Sequence, residues 1–206
     1  MRIPRFLTED RWRVACFLGL GAVFNYADRS ALSAVLVPLR KEFGLTDVQL
    51  GMLLSLFLWC YALASPFAGN FADRYSKIRL LIGSIAAWSI FTALIGAANG
   101  LVLLCVLSVG LGVAESIFNP AAFALVGDHH GSETRGTAMA ILSVGAQFGV
   151  VAGGACAGFM AERYGWRTGF WALGAIGLAL ALTARLVLVP GPGSASKTPQ
   201  RAGFFE

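Results

Sequence analysis

Two polar stretches interrupt an otherwise apolar sequence. The first is Asn25-Tyr26-Ala27-Asp28-Arg29-Ser30, and the second is Gly112-Val113-Ala114-Glu115-Ser116-Ile117-Phe118-Asn119-Pro120. Arg29 offers a permanent positive charge on a planar fork of N–H donors, a shape that grips a carboxylate. Glu115 and Asp28 can each carry a proton. An acid facing an Arg is anionic at rest. An arriving anion competes for the Arg and favours protonation of the acid. Asn25, Tyr26, Asn119 and Gln147 are the polar neighbours that could line the same cavity. The competing reading is that each charge is satisfied locally or snorkels to an interface.

The surrounding elements make the chemistry specific. Of 206 residues, 57% are hydrophobic and only 13% charged, against about 25% charged in soluble chains. The mean hydropathy is +0.70. No Asp, Glu, Lys or Arg occurs in Val48–Ala72, Leu80–Ala114 or Gly136–Ala161. A hydrocarbon core of about 30 Å takes roughly 20 apolar residues per helix. The runs therefore predict six membrane spans, at about 14–39, 48–70, 80–98, 101–127, 137–160 and 168–189. The third and fourth divide at Gly96-Ala97-Ala98-Asn99-Gly100, which has turn chemistry. All spans should be helices, because backbone groups in lipid must be satisfied within the segment. Arg29 and Glu115 then lie near mid-membrane on the first and fourth spans, at depths differing by roughly 6 Å. Two long side chains can bridge that. Asp28 and Arg29 are about 100° apart around one helix, so one faces the cavity while the other meets a neighbouring helix.

Basic residues set the orientation. With the N-terminus inside, the inner segments hold Arg2, Arg5, Arg11, Arg13, Arg74, Lys77, Arg79, Arg135, Lys197 and Arg201, and the outer loops hold Arg40, Lys41, Arg163 and Arg167. This bias places both termini in the cytoplasm and the protein in the cell (inner) membrane. Residues 1–13 form a cytoplasmic N-terminus, not a cleaved signal, and 190–206 a flexible cytoplasmic linker. The basic residues sit on separate loops, which argues against nucleic acid as a partner. Cys16, Cys60, Cys105 and Cys156 lie in apolar stretches with no paired spacing, so metal and redox chemistry are not expected. His129 and His130 read as solvated loop residues. No zinc pattern, Asp pair or Ser-Lys arrangement suggests an enzyme. Gly145, Gly149 and Gly153, at four-residue spacing, predict close helix packing.

Gly69-Asn70-Phe71-Ala72-Asp73-Arg74-Tyr75 shares its Gly, Ala, acid, Arg and Tyr with Gly158-Phe159-Met160-Ala161-Glu162-Arg163-Tyr164, three spans later. An odd number of spans puts the copies on opposite membrane faces, as in an inverted 3+3 repeat. The first copy, continued through Lys77 and Arg79, resembles the signature loop of the major facilitator transporters. Gly69, Asp73, Arg74, Lys77 and Arg79 match, while Ser76 replaces the usual Gly. The resemblance from Asn25 to Gly174 is closest to the anion:cation symporters and spinster-like transporters. It includes Phe57–Asp73, Glu115–Pro120, Arg135-Gly136 and Gly165-Trp166-Arg167.

That resemblance implies an all-α membrane protein forming the N-terminal six-helix half of a transporter. It implies alternating access of a small organic anion, such as a sugar acid, coupled to protons. Substrate contacts would fall to Arg29, Asn25, Tyr26, Asn119 and Gln147. Proton coupling would fall to Glu115 and Asp28, and a conformational latch to the Asp73 loop. No cofactor is implied. The partners would be substrate, protons, the bilayer and a second six-helix half. Many relatives carry an Arg seven residues before the Glu, where this chain has Ser108, so a role for that Arg does not transfer. Two alternatives stay open: a half-length, non-transporting subunit, and a transporter of lipid-like or drug-like molecules.

Overall fold

The structure, a computed structural model, describes residues 10–188, apart from the side chains of residues 72–74. The expected linker at 190–206 and most of the expected N-terminal segment lie outside the described residues. Eight helices run along that stretch: α1 (Asp10–Ala34), α2 (Leu36–Phe43), α3 (Asp47–Arg74), α4 (Lys77–Ile95), α5 (Leu101–Ser116), α6 (Phe118–His129), α7 (Ser132–Tyr164) and α8 (Trp166–Leu188).

Two of the stretches read as single spans are helix pairs. Val35 separates α1 from α2, and Ile117 separates α5 from α6. Each break is followed three residues later by a proline, Pro38 or Pro120. A proline lacks the N–H that would bond four residues back and its ring crowds that carbonyl, so the helix bends there. Elsewhere the turns follow local chemistry. Gly44 closes α2 in the left-handed region, at φ 63°. Thr46 and Gln49 form a reciprocal capping box at the start of α3. Gly165, at φ 88°, makes the one-residue turn into α8.

Packing depends on small residues. Gly145, Gly149 and Gly153 are buried on one face of α7. A Cβ at Gly149 would run into the carbonyl oxygen of Val23, and one at Gly145 into that of Gly19. The helices α1 and α7 thus run parallel, backbone to backbone. Ser30 Oγ pins them by donating to the Val150 carbonyl at 2.7 Å. The pair α3 and α5 is built the same way, with Gly112 against the backbone of Phe57 and Tyr61. The antiparallel pair α4 and α8 meets where Gly174 faces Ala93 and Gly177 faces Ser89. At the centre the rings of Trp88 and Phe118 meet edge to face, 5.3 Å between centroids, with both side chains fully buried. Phe118 also fills the space left by Gly21.

The ends of the bundle are tied by polar contacts. At one end Trp166 Nε1 and Arg167 Nη1 both donate to Glu42 Oε2 at 2.7 Å, and Arg167 Nη2 donates to the Ala98 carbonyl at 3.0 Å. These bonds, with Trp166 contributing most, hold the Glu42 carboxyl below the usual carboxylate range. At the opposite end Lys77 Nζ pairs with Asp128 at 2.6 Å. His130 differs from the solvated residue expected. It is buried, 3.1 Å from the Arg11 carbonyl through Nε2 and 3.2 Å from Thr134 Oγ1 through Nδ1, with Trp12 edge-on at 4.9 Å. The turn before α7 folds under the start of α1, and a polar sequence gave no sign of that long-range contact.

Five stretches are long and apolar enough to cross a membrane: Asp47–Phe71, Lys77–Ile95, Leu101–His129, Ser132–Tyr164 and Trp166–Leu188. The helix α1 is long enough at 25 residues, but Asn25, Asp28 and Arg29 lower its apolarity.

Candidate functional site

The bend between α5 and α6 sets Glu115 in the last turn of α5, with its side chain wholly buried. Ser84 of α4 supports this turn by donating to the Ala114 carbonyl at 2.7 Å. Arg29 arrives from α1, and its Nε donates to Glu115 Oε2 at 2.7 Å. Its Nη2 donates to Asn25 Oδ1, one turn earlier, at 3.2 Å. Asn25 Nδ2 and Glu115 Oε1 have no hydrogen-bond partner among the described residues. A lone charge at this depth costs at least about 2.5 kcal/mol on insertion scales. Each of the two charges here has its opposite within contact.

Three aromatic rings surround the guanidinium. Its carbon lies 4.2 Å from the ring centre of Tyr61, 4.8 Å from Tyr26 and 5.4 Å from Phe57. Cation–π contacts of this kind hold the fork in place without using its N–H donors. Glu115 and Asn25 engage two of the five N–H groups. The Arg29 side chain remains 19% exposed while its partner is sealed. A cation that is reachable, oriented and only partly engaged can accept a second carboxylate.

Next to this pair lies a cavity of about 250 Å³, lined by Tyr26, Asn119, Ser143 and Gln147 among apolar neighbours. Tyr26 belongs both to the cavity wall and to the aromatic surround of Arg29. Asn119 Nδ2 donates to Tyr61 Oη at 3.0 Å, which joins the cavity wall to the ring over Arg29. Asn25, Tyr26, Arg29, Glu115, Asn119 and Gln147 therefore converge on one region. Asp28 lies beside the ion pair without a hydrogen bond to it. It is buried and accepts from Thr92 Oγ1 of α4 at 3.2 Å, about 100° around α1 from Arg29.

Phe57, Tyr61 and Ser143 contribute to this region, and Thr92 holds Asp28 beside it; sequence reasoning singled out none of the four. Phe57 and Tyr61 are four residues apart, on one face of α3, and that spacing was the available signal. The latch candidates lie elsewhere. Gly69 sits in open space near the end of α3, Lys77 holds Asp128, and Arg79 is exposed in the first turn of α4. Asp73 and Arg74 close α3, and their side chains are outside the described residues. No group of three or more His, Cys, Asp or Glu among the described residues could hold a metal ion.

A bundle of long apolar helices around one buried ion pair defines a membrane protein, and the comparisons specify which kind. The sequence profile of the Major Facilitator Superfamily matches residues 18–206, and the chain belongs to that family. It is 31% identical over 166 residues to a probable L-galactonate transporter of Escherichia coli (strain K12), covering 80% of this chain and 36% of that protein. It is 30% identical over 181 residues to a probable galactarate/D-glucarate transporter of Bacillus subtilis (strain 168), covering 85% and 40%. Among solved structures, a bacterial homologue of the human lysosomal transporter Spinster, inward-facing and unoccupied, superposes with a TM-score of 0.80 at 28% identity. That match covers 96% of this chain and 48% of that one. The chain thus spans about two fifths of the length of these curated relatives and about half of the solved structure.

Proposed function

We propose that this chain forms one six-helix half of a secondary transporter that carries a sugar acid together with protons by alternating access. The observation that carries the reading is the Arg29–Glu115 pair, with a reachable cation and a sealed acid beside a cavity whose wall includes Tyr26, Asn119, Ser143 and Gln147. A substrate carboxylate entering the cavity takes N–H donors of Arg29, and Asn119, Gln147 and Tyr26 bond its hydroxyls. Glu115, losing its cation in a wholly buried position, takes up a proton rather than remain a bare charge. Asp28, buried on the same helix as Arg29, is the alternative carrier if Glu115 does not serve. The relatives' sugar-acid substrates support an anionic polyol as cargo.

The six-span count is part of the proposal, with α1–α2 as the first span. Its support is the pairing pattern. The first span packs on the fifth, and the fourth on the second, as a 3+3 inverted repeat requires. Both broken spans bend before a proline. Lys77–Asp128 at one end mirrors Arg167–Glu42 at the other, since each ties the start of one helix to the end of a broken span. The basic residues favour a cytoplasmic location for both termini. The segment from Gly69 to Arg79, including Asp73 and Arg74, serves as the latch against a second six-helix half, on the same polypeptide or another.

Binding of labelled sugar acid to the two-half transporter tests the reading. Arg29→Ala should weaken binding by about thirtyfold or more. Arg29→Lys should lose less, because it keeps the charge and gives up the fork. A neutral polyol of equal length should not compete. Unchanged binding by Arg29→Ala, or equal competition by the neutral polyol, would refute the proposed site.

A further inference from the structure

Glu115 is wholly buried, yet it sets one oxygen on Arg29 and not two. Its Oε2 accepts from Arg29 Nε at 2.7 Å, and its Oε1 has no hydrogen-bond partner among the described residues. A carboxylate facing an arginine frequently takes two parallel N–H bonds. Nε and Nη2 form the side-on edge of the guanidinium that offers such a pair. Here Nη2 donates to Asn25 Oδ1 instead, at 3.2 Å. Asn25 therefore holds the nitrogen that the second oxygen of Glu115 would take.

The position of Asn25 suits this role. It lies four residues before Arg29 on α1, one turn away on the same face. It moves with Arg29, whereas Glu115 arrives on α5. The bond to Asn25 can thus keep the fork oriented while the bond to Glu115 opens. Asn25 is fully buried and does not line the cavity, so it acts on a solute through Arg29. Its Nδ2 has no partner among the described residues, and Oδ1 carries the contact. Both N–H groups of Nη1 and one of Nη2 are left for a solute.

We infer that Asn25 is a positioning residue that confines Glu115 to a single bond on Arg29 and so sets how easily an incoming carboxylate displaces that acid. The inference rests on the proposed capture of an anion by Arg29. With Asn25 in place, the arriving carboxylate competes against one bond from Nε. Without the Asn25 oxygen, Oε1 closes onto Nη2, and the acid grips the edge with both oxygens. The solute then meets a stronger rival, and the pair opens less readily.

A double-mutant cycle on the two-half transporter in detergent tests this, with labelled L-galactonate and D-glucarate as probes. Asn25→Leu is close in size and removes a buried amide with an unpaired Nδ2. It should weaken binding roughly fivefold, because Glu115 gains a second charge-assisted bond. In the Glu115→Gln background the same substitution should leave binding unchanged or tighter. An amide offers one acceptor oxygen, so no side-on grip can form, and one more N–H is free for the probe. Asn25→Ser, whose hydroxyl is one bond shorter and falls short of Nη2, should repeat both results if Asn25→Leu does not fold. Unchanged binding by the Asn25 variants, or an equal loss in both backgrounds, would overturn the inference. These outcomes are separable from failure of the transport reading. Binding of neither probe by the unaltered protein, or normal binding by Arg29→Ala, would remove that reading and the inference with it. Loss of binding by Arg29→Ala with no coupling in the cycle would overturn the role of Asn25 alone.

Discussion

Arg29 stands out in the sequence because a charge inside an apolar run is costly and so is rarely without a partner. The same argument exposed Glu115, and helix geometry was enough to bring the two within reach. The aromatic residues around Arg29 were hidden for the opposite reason. In a sequence this apolar, Phe57 and Tyr61 look like any lipid-facing residues, and only the structure turns their shared face of α3 toward the guanidinium. Tyr61 has two separable contributions, its ring over Arg29 and its hydroxyl accepting from Asn119. Tyr61→Phe keeps the ring and removes the bond, so substrate affinity should fall a few-fold at most. Tyr61→Leu removes both and should cost roughly tenfold or more, given about 0.5–2 kcal/mol for the cation–π contact and about 1 kcal/mol for the hydrogen bond. Titration of labelled substrate separates the two variants. Equal losses would mean that the ring over Arg29 contributes nothing.

At the scale of the elements, glycine spacing was readable and helix breaks were not. Gly145, Gly149 and Gly153 announced a close contact, and the structure supplies the partner, the backbone of α1. Pro38 and Pro120 were visible, but apolar runs continue through both bends, so hydropathy drew one span where there are two helices. The place of His130 was also illegible, because its partners at Arg11 and Trp12 are more than a hundred residues away in sequence. The α1–α7 contact makes a direct prediction. Gly149→Leu inserts a side chain against the Val23 carbonyl, and overpacking of this kind costs typically 1–3 kcal/mol. Its thermal midpoint in detergent should fall by several degrees. Gly83→Ala, where a Cβ meets no atom within 4 Å, should leave the midpoint near that of the parent. A parental midpoint for Gly149→Leu would mean that α1 and α7 are farther apart than described.

For the molecule as a whole, the proposed reading as two inverted three-span units would make the Arg29 and Glu115 helices counterparts. Each bends near its functional charge, and each is braced at one end by an ion pair to the start of another helix. A weak loop repeat suggested this arrangement from sequence. The paired bends and braces are the features on which the proposal of that arrangement rests. In this account Arg29 and Glu115 act as a single exchange device, in which substrate and proton trade places with the ion pair. Transport by the two-half protein in vesicles, with labelled sugar acid and an imposed proton gradient, tests the device most directly through Glu115→Gln. That side chain imitates the protonated acid and cannot release a proton. The account predicts that uphill accumulation vanishes while exchange of labelled for unlabelled substrate across the vesicle membrane continues. Accumulation against a gradient by Glu115→Gln would contradict it and would move proton coupling to Asp28.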